Sequence, residues 1–250
     1  ETVQATAEGL TNYSEKMMRN AISKLPDGEY HAEGLMDGYL DNDDPNKKDL
    51  KIAVTLKVKG DELIVDLTGT SPQIDDKPIN MPLEGTVDIA IYLTLRSILL
   101  DSVDYGNFPQ NTGLTRPIKI VAPEGTLCNP IFPAPTIARF CPGNMVADTL
   151  MKALAEVVPR QVSAGVGNLK VLAMNGKRGK DYWVYMDIME GSYGGRYGKD
   201  GMDSVDTLYA NTRNNPIEDI ESHYPLRVTK YELRDHDCAP GKWRGGIGSV

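Results

Sequence analysis

Cysteine and histidine are scarce in this chain, with three of each among 250 residues. Cys128, Cys141 and Cys238 form an odd set without framework spacing. That excludes a disulfide-built secreted scaffold and suits reduced thiols in a cytoplasm. A nucleophilic cysteine needs a base and an orienting group beside it, and only His31, His223 and His236 exist, so inert thiols are expected. There is no uncharged apolar run of about 18 residues to span a bilayer, and no charged, apolar and small-residue leader at the start. Positive charge is in deficit too: the net charge is −8, which argues against nucleic acid and anionic membrane as partners. Repeats, heptads, low-complexity tracts and Gly/Ser linkers are missing, so a single domain is expected across 1–250. The start, "ETVQATAEG", has no initiator Met, and the end, "RGGIGSV", stops directly after a glycine-rich turn. Such turns normally lead into another element, so the chain reads as a fragment truncated at both ends.

What is present builds a core: 40% of the residues are apolar. Leu10, Tyr13, Met17, Ala21, Ile22 and Leu25 recur at helical spacing until Pro26-Asp27-Gly28, predicting a helix over 11–25. Leu50, Ile52, Val54, Leu56 and Val58 alternate with polar residues, and Leu63, Val65 and Leu67 repeat the alternation after Gly60-Asp61. This is a β-hairpin with one wet face. Residues 87–100 crowd apolar side chains on more than one face, as a well-buried helix does. "RPIKIVAPEGT" reads as a short strand and a turn, and the prolines of "CNPIFPAP" exclude regular structure. Asn144 is placed to cap a helix running to about Val158. Candidate strands follow at 169–174, 182–189, 205–210 and 226–233, with a short helix near 216–223. The expected class is α+β, a mixed and mostly antiparallel sheet with packed helices.

Several motifs fail on inspection. Asp41, Asp43 and Asp44 have proline and asparagine where a calcium loop needs a ligand and a glycine, so a solvated loop is expected. Asp235, His236, Asp237 and Cys238 are contiguous donors, and alternate side chains of an extended segment point oppositely. No metal site is assigned to the chain. Ser71 and Ser163 lack the G-x-S-x-G setting of a nucleophile elbow.

The densest stretch is "GGRYGKDGMDSVDTLYANTRNNPIE" (194–218). Gly198-Lys199 matches the end of a phosphate loop, but Asp200 replaces the hydroxyl residue and Tyr193 the first glycine, and a carboxylate there repels phosphate. Asp200, Asp203 and Asp206 are spaced by three, as are Glu218 and Glu221, with Arg196 and Arg213 available to neutralise two of them. One reading is a polar loop pinned by internal salt bridges. The other is the rim of a subunit interface or substrate channel, with Arg196, Asp200, Asn211, Arg213 and Glu218 as binding residues. No catalytic residue is assigned.

The order of motifs resembles the hydantoinase B/oxoprolinase family. The motifs are "YSEKMMRNAISKLPDGEY", "VDLTGTSPQ", "NTGLTRPIKIVAPEGTLCNP", "FPAP", "ADTLMKAL", "SYGGRYGKDGMD", "ANTRNNPIEDIESHYPLRV" and "YELRDHDCAPGKWRGGIG". The resemblance implies part of the B subunit of an ATP-dependent cyclic-amide hydrolase that opens hydantoin or 5-oxoproline rings. The alternatives are a subunit of an acetone- or acetophenone-type ketone carboxylase and a non-catalytic interaction module. The resemblance also implies an A-type partner subunit that binds ATP and Mg, a small-molecule substrate, and a metal ion held in a segment preceding this region. Asp237-Cys238-Ala239-Pro240-Gly241 departs from the Asp-Ser-glycine run of many relatives. The piece alone is therefore expected to be inactive.

Overall fold

The structure is a computed structural model that describes residues 2–250 apart from 107, 166, 168, 169, 190, 207, 209, 211, 235 and 236, with the backbone alone at Asn46. It divides into two compact units, Glu1–Val162 and Ser163–Val250.

The alternating apolar residues of the first hairpin make the centre of unit 1. Strand β2 (Asp49–Lys59) buries Leu50, Ile52, Val54, Leu56 and Val58 and lies between β1 (Gly28–Asp37) and β3 (Glu62–Asp66), antiparallel to both. Gly60 turns the β2–β3 hairpin with φ +61, a value that favours glycine. Strand β4 (Ile118–Val121) adds to β3 in parallel, giving the order β1-β2-β3-β4. The mixed, mostly antiparallel sheet agrees with the expected class. Strand β1 has no apolar signature, because only Ala32 of its ten residues is buried.

Helix α1 (Thr2–Ile22) begins nine residues before the predicted start. Its first turns are exposed on every side, so they carry no apolar period to read. Its last turns bury Met18, Ala21 and Ile22. One-turn helices α2 (Pro45–Lys48) and α4 (Ser102–Tyr105) flank the sheet connections. Helix α3 (Asp88–Leu99) buries six residues, as its crowded pattern predicts. Helix α5 (Phe140–Leu154) packs on β1, β2 and α3. It starts before Asn144, which is buried inside the helix and is not its cap. Pro142 falls in the first turn, where its missing N–H costs nothing.

Two of the quoted motifs meet in this unit. Asn111 donates to Ser14 Oγ at 3.0 Å, and Ser14 donates to the Pro109 carbonyl at 2.7 Å. Arg116 pairs with Glu15 at 3.0 Å, and Glu15 also holds Arg19 at 2.9 Å. The proline-rich loop is irregular, as expected, and Asn80 anchors it. The Asn80 side chain, fully buried, accepts from Ile74 N–H and donates to the Ile74 and Pro135 carbonyls at 2.6 and 2.9 Å.

Unit 2 has less regular structure. Strands β5 (Lys170–Arg178) and β6 (Asp181–Met189) form a hairpin, and helix α6 (Ile217–His223) follows at its expected place. The expected strand at 205–210 includes Thr207 and Tyr209, which lie outside the described residues. The expected strand at 226–233 does not form as such. Its end pairs with the chain terminus through Glu232, Arg234, Gly248 and Val250, while Val228 N–H is taken by the Glu221 carboxylate. A side-chain acceptor thus replaces a ladder partner, which apolar alternation cannot reveal.

Candidate functional site

The glycines of the densest stretch let three backbone segments approach one another. Ala164 and Gly195 pair through Ala164 N–H at 3.0 Å, and Gly194 N–H reaches Gly165 O at 3.1 Å. On the other side, Gly201 N–H donates to Arg244 O and Gly246 N–H to Tyr193 O, both at 2.8 Å, and Tyr193 N–H donates to Met202 O at 3.1 Å. "SYGGRYGKDGMD" is therefore clasped by "GKWRGGIG", the motif nearest the end of the sequence. Gly201 and Gly246 are buried, and a methyl group on either would overlap a backbone carbonyl oxygen, that of Tyr193 or of Met202. Tyr197 and Trp243 close the clasp edge-to-face at 5.2 Å.

Arg244, which the motif pattern does not single out, supplies the charge in the clasp. Its guanidinium forks onto Asp203 at 2.8 and 3.1 Å, and Asp203 also accepts from Ile247 N–H at 2.7 Å. Asp200 accepts from Arg244 N–H at 2.9 Å, with Arg244 Nε at 3.8 Å. So Arg244, and not Arg196 or Arg213, meets these two aspartates; the partner lies 41 residues beyond Asp203, out of reach of local spacing. The Arg244 guanidinium, and then the Ile247 N–H, hold the Asp203 carboxyl below its usual range. A depressed folded-state value contributes stability above the ordinary carboxyl pKa, about 3.9, and that contribution fades as pH falls through the folded value. Asp203→Asn is expected to flatten the acid limb of the stability–pH curve, read by urea melts between about pH 2 and 5. An unchanged acid limb would show that Asp203 contributes no such dependence.

The predicted binding residues separate into two places. Arg196 and Asp200 share the exposed turn of the clasp, where Arg196 and Lys199 exchange backbone hydrogen bonds at 3.0 and 3.1 Å. Arg213 and Glu218 are exposed around the start of α6. Among the described residues no hydrogen bond or ion pair joins the two places, and Asn211 lies outside the described residues.

A second polar group stands within β6 and was missed from sequence, where Tyr185 and Asp187 look like ordinary strand alternation. The Tyr185 hydroxyl donates to Asp187 Oδ2 at 2.6 Å, and the Tyr185 ring packs on Tyr224 at 4.8 Å. Burial, then the hydrogen bond to the Asp187 carboxylate, pushes the Tyr185 phenol up to about 12, so it remains a donor at neutral pH. Two of the thiols, Cys128 and Cys141, offer little reactivity. Burial pushes Cys128 up to about 12 and raises Cys141 as well, whereas the thiolate is the reactive form. Among the described residues no three of His, Cys, Asp and Glu gather as metal ligands. Asp235 and His236 lie outside those residues. No described helix is long and apolar enough to cross a membrane.

Comparison with known proteins follows the same motifs. The family described as "Hydantoinase B/oxoprolinase" matches residues 1–250. A protein of Pseudomonas sp. (strain NS671), named as the B subunit of a "Putative D-/L-hydantoinase", is 81% identical over 250 residues, which are 100% of this chain and 42% of that protein. The crystal structure of ATP-dependent caprolactamase from Pseudomonas jessenii superposes with a TM-score of 0.82 at 24% identity, covering 99% of this chain and 42% of that one. A nucleotide-free acetone carboxylase superposes with a TM-score of 0.76 at 16% identity, over 94% of this chain and 33% of that one. The two structures establish a shared fold. The chain spans less than half the length of each of these proteins. Sequence motifs, fold and family match agree, and the chain belongs to the hydantoinase B/oxoprolinase family.

Proposed function

We propose that this chain is part of the B subunit of an ATP-dependent cyclic-amide hydrolase, working in the cytoplasm with an A-type subunit that binds ATP and Mg. The observation that carries the reading is the 81% identity, across all 250 residues, to a protein named as a hydantoinase B subunit. In this reading the two units are portions of one hydantoinase B/oxoprolinase-like domain, and the 250 residues alone do not turn over substrate. The chemistry favours such a division of labour. An amide is a poor electrophile, and phosphorylating its oxygen on one subunit lets water complete ring opening at the other. The described residues bring no three ligands together, so no metal-dependent step is assigned to them.

The test is the complete subunit with its partner, assayed for ATP turnover with hydantoins, 5-oxoproline and acetophenone, with and without bicarbonate. Ring-opened product without a bicarbonate requirement is expected. Bicarbonate-dependent turnover of acetophenone alone would make the complex a ketone carboxylase. ATP turnover with none of the three would leave an interaction module.

The clasp turn is proposed to face substrate or partner. Isolated surface ion pairs contribute only about 0–1 kcal/mol each, which is little return for so much exposed charge. In the intact complex, Arg196→Ala and Asp200→Ala are each expected to lower turnover at least about tenfold, about 1.4 kcal/mol in the barrier, with assembly retained in both and an unchanged melting temperature in Arg196→Ala. Full activity in both would make the turn a plain surface loop.

A further inference from the structure

Unit 2 holds a cavity of about 290 Å³ bounded by β5, β6, α6 and residues 226–231. None of its lining residues belongs to the clasp segments. Its wall is apolar at Leu172, Met174, Ile217 and Ile220 and polar at Tyr185, Asp187 and Asn215, with Arg227, Thr229 and Lys230 also on the lining. Small-molecule sites share this make-up at volumes from about 300 to 1,000 Å³. This one stands at the small end, sized for a single ring and tight for a nucleotide.

Asp187 determines what the cavity accepts. A carboxylate offers about four lone-pair positions, and the Tyr185 hydroxyl and the Ile188 N–H occupy two of them. The other positions take N–H donors. Tyr185, itself buried and packed on Tyr224, fixes the carboxylate in place. The charge repels anions, and the cations at the rim are already engaged: Arg227 with Glu221 at 3.6 Å and Lys230 with Glu232 at 2.8 Å.

We propose that this cavity binds a neutral cyclic amide or ureide, its ring N–H donated to Asp187, its carbonyl accepting from the second N–H of the Asn215 amide, and its ring face on Met174 and Ile220. The Asn215 side chain also hydrogen-bonds the Tyr185 hydroxyl. The assignment rests on the hydrolase reading above and narrows it. Hydantoin fits; 5-oxoproline, which carries a carboxylate, meets the Asp187 charge. Asp187 is thus a substrate-binding residue that sets specificity.

The experiment uses the complete subunit with its partner and measures hydantoin and 5-oxoproline binding by equilibrium dialysis, beside steady-state kinetics. The wild-type complex is expected to bind hydantoin at least about tenfold more tightly than 5-oxoproline. Asp187→Asn keeps the shape and removes the charge; it should raise the hydantoin KM at least about tenfold, leave kcat within about threefold and shrink the preference. Thr229→Trp, on the exposed rim, should fill the cavity and abolish hydantoin binding, giving a second reading if Asp187→Asn fails to assemble. No hydantoin binding by the wild type, or unchanged binding in the assembled variants, overturns the assignment. Hydantoin turnover with an unchanged KM in the variants sinks the cavity and spares the hydrolase reading. Cavity-dependent binding without ATP-coupled ring opening sinks that reading and spares the cavity.

Discussion

Gly201→Ala and Gly246→Ala are each expected to destabilise unit 2 by about 3 kcal/mol. Both positions are buried, and the added methyl group in each case meets a backbone carbonyl oxygen and not the flexible end of a side chain. Relief at Gly246 requires the 193–204 and 243–247 segments to move apart, and relief at Gly201 requires residues 193 and 201 to part as well. That movement stretches the Gly201–Arg244, Gly246–Tyr193 and Tyr193–Met202 hydrogen bonds together, and it pulls the Arg244 fork off Asp203. Gly248→Ala is the control, since nothing stands within 4 Å of a methyl group there; its effect should stay within about 0.5 kcal/mol. Urea melts of the three variants decide the matter. If Gly201→Ala and Gly246→Ala melt like Gly248→Ala, the clasp yields easily and close backbone approach is not what holds it.

Asn80→Ala should cost unit 1 about 3 kcal/mol or more. Truncation strands Ile74 N–H and the Ile74 carbonyl and leaves the Pro135 carbonyl only the longer bond from the Asn80 backbone N–H at 3.3 Å, and each buried unsatisfied group costs about 1–3 kcal/mol. The damage should also have a direction. Asn80 fixes the proline-rich loop, which displays Phe132 at 93% exposure together with Ile131 and Ile137. Asn80→Ala is therefore expected to speed hydrogen exchange at Ile74 and Ala138, whose amides lie at the two sides of this anchor, before it does so in β2. A uniform rise across unit 1 would show that Asn80 acts on the whole core and not on the loop.

The legible and hidden parts of the chain differ by physical cause. The β2–β3 hairpin and α3 could be read because burial itself writes a period into the sequence: one-sided in the strands, nearly all round in the helix. Strand β1 could not, because it is held by backbone pairing with β2 and buries a single side chain. Asn144 misled because a capping residue type says nothing about whether Pro142 can begin the helix sooner. In the site, glycine density at 194–201 and 245–248 was the only signal of the clasp. It marks where backbone can approach, not what it approaches. The Asp203–Arg244 and Tyr185–Asp187 contacts depend on loop paths and on strand facing, so residue type alone suggested Arg196 and Arg213 as the neutralising cations instead.

The parallel addition of β4 to β3 has a kinetic consequence. The two antiparallel pairings of the sheet join neighbours along the chain and can form early. Leu63, however, meets Ile118 only after α3 and the intervening loops have been laid down between them. Closing so long a loop costs chain entropy before any contact rewards it. The outer edge of β3 therefore waits, unpaired, while the crossover organises, and in that interval its row of free amides is open to pairing with a neighbouring chain.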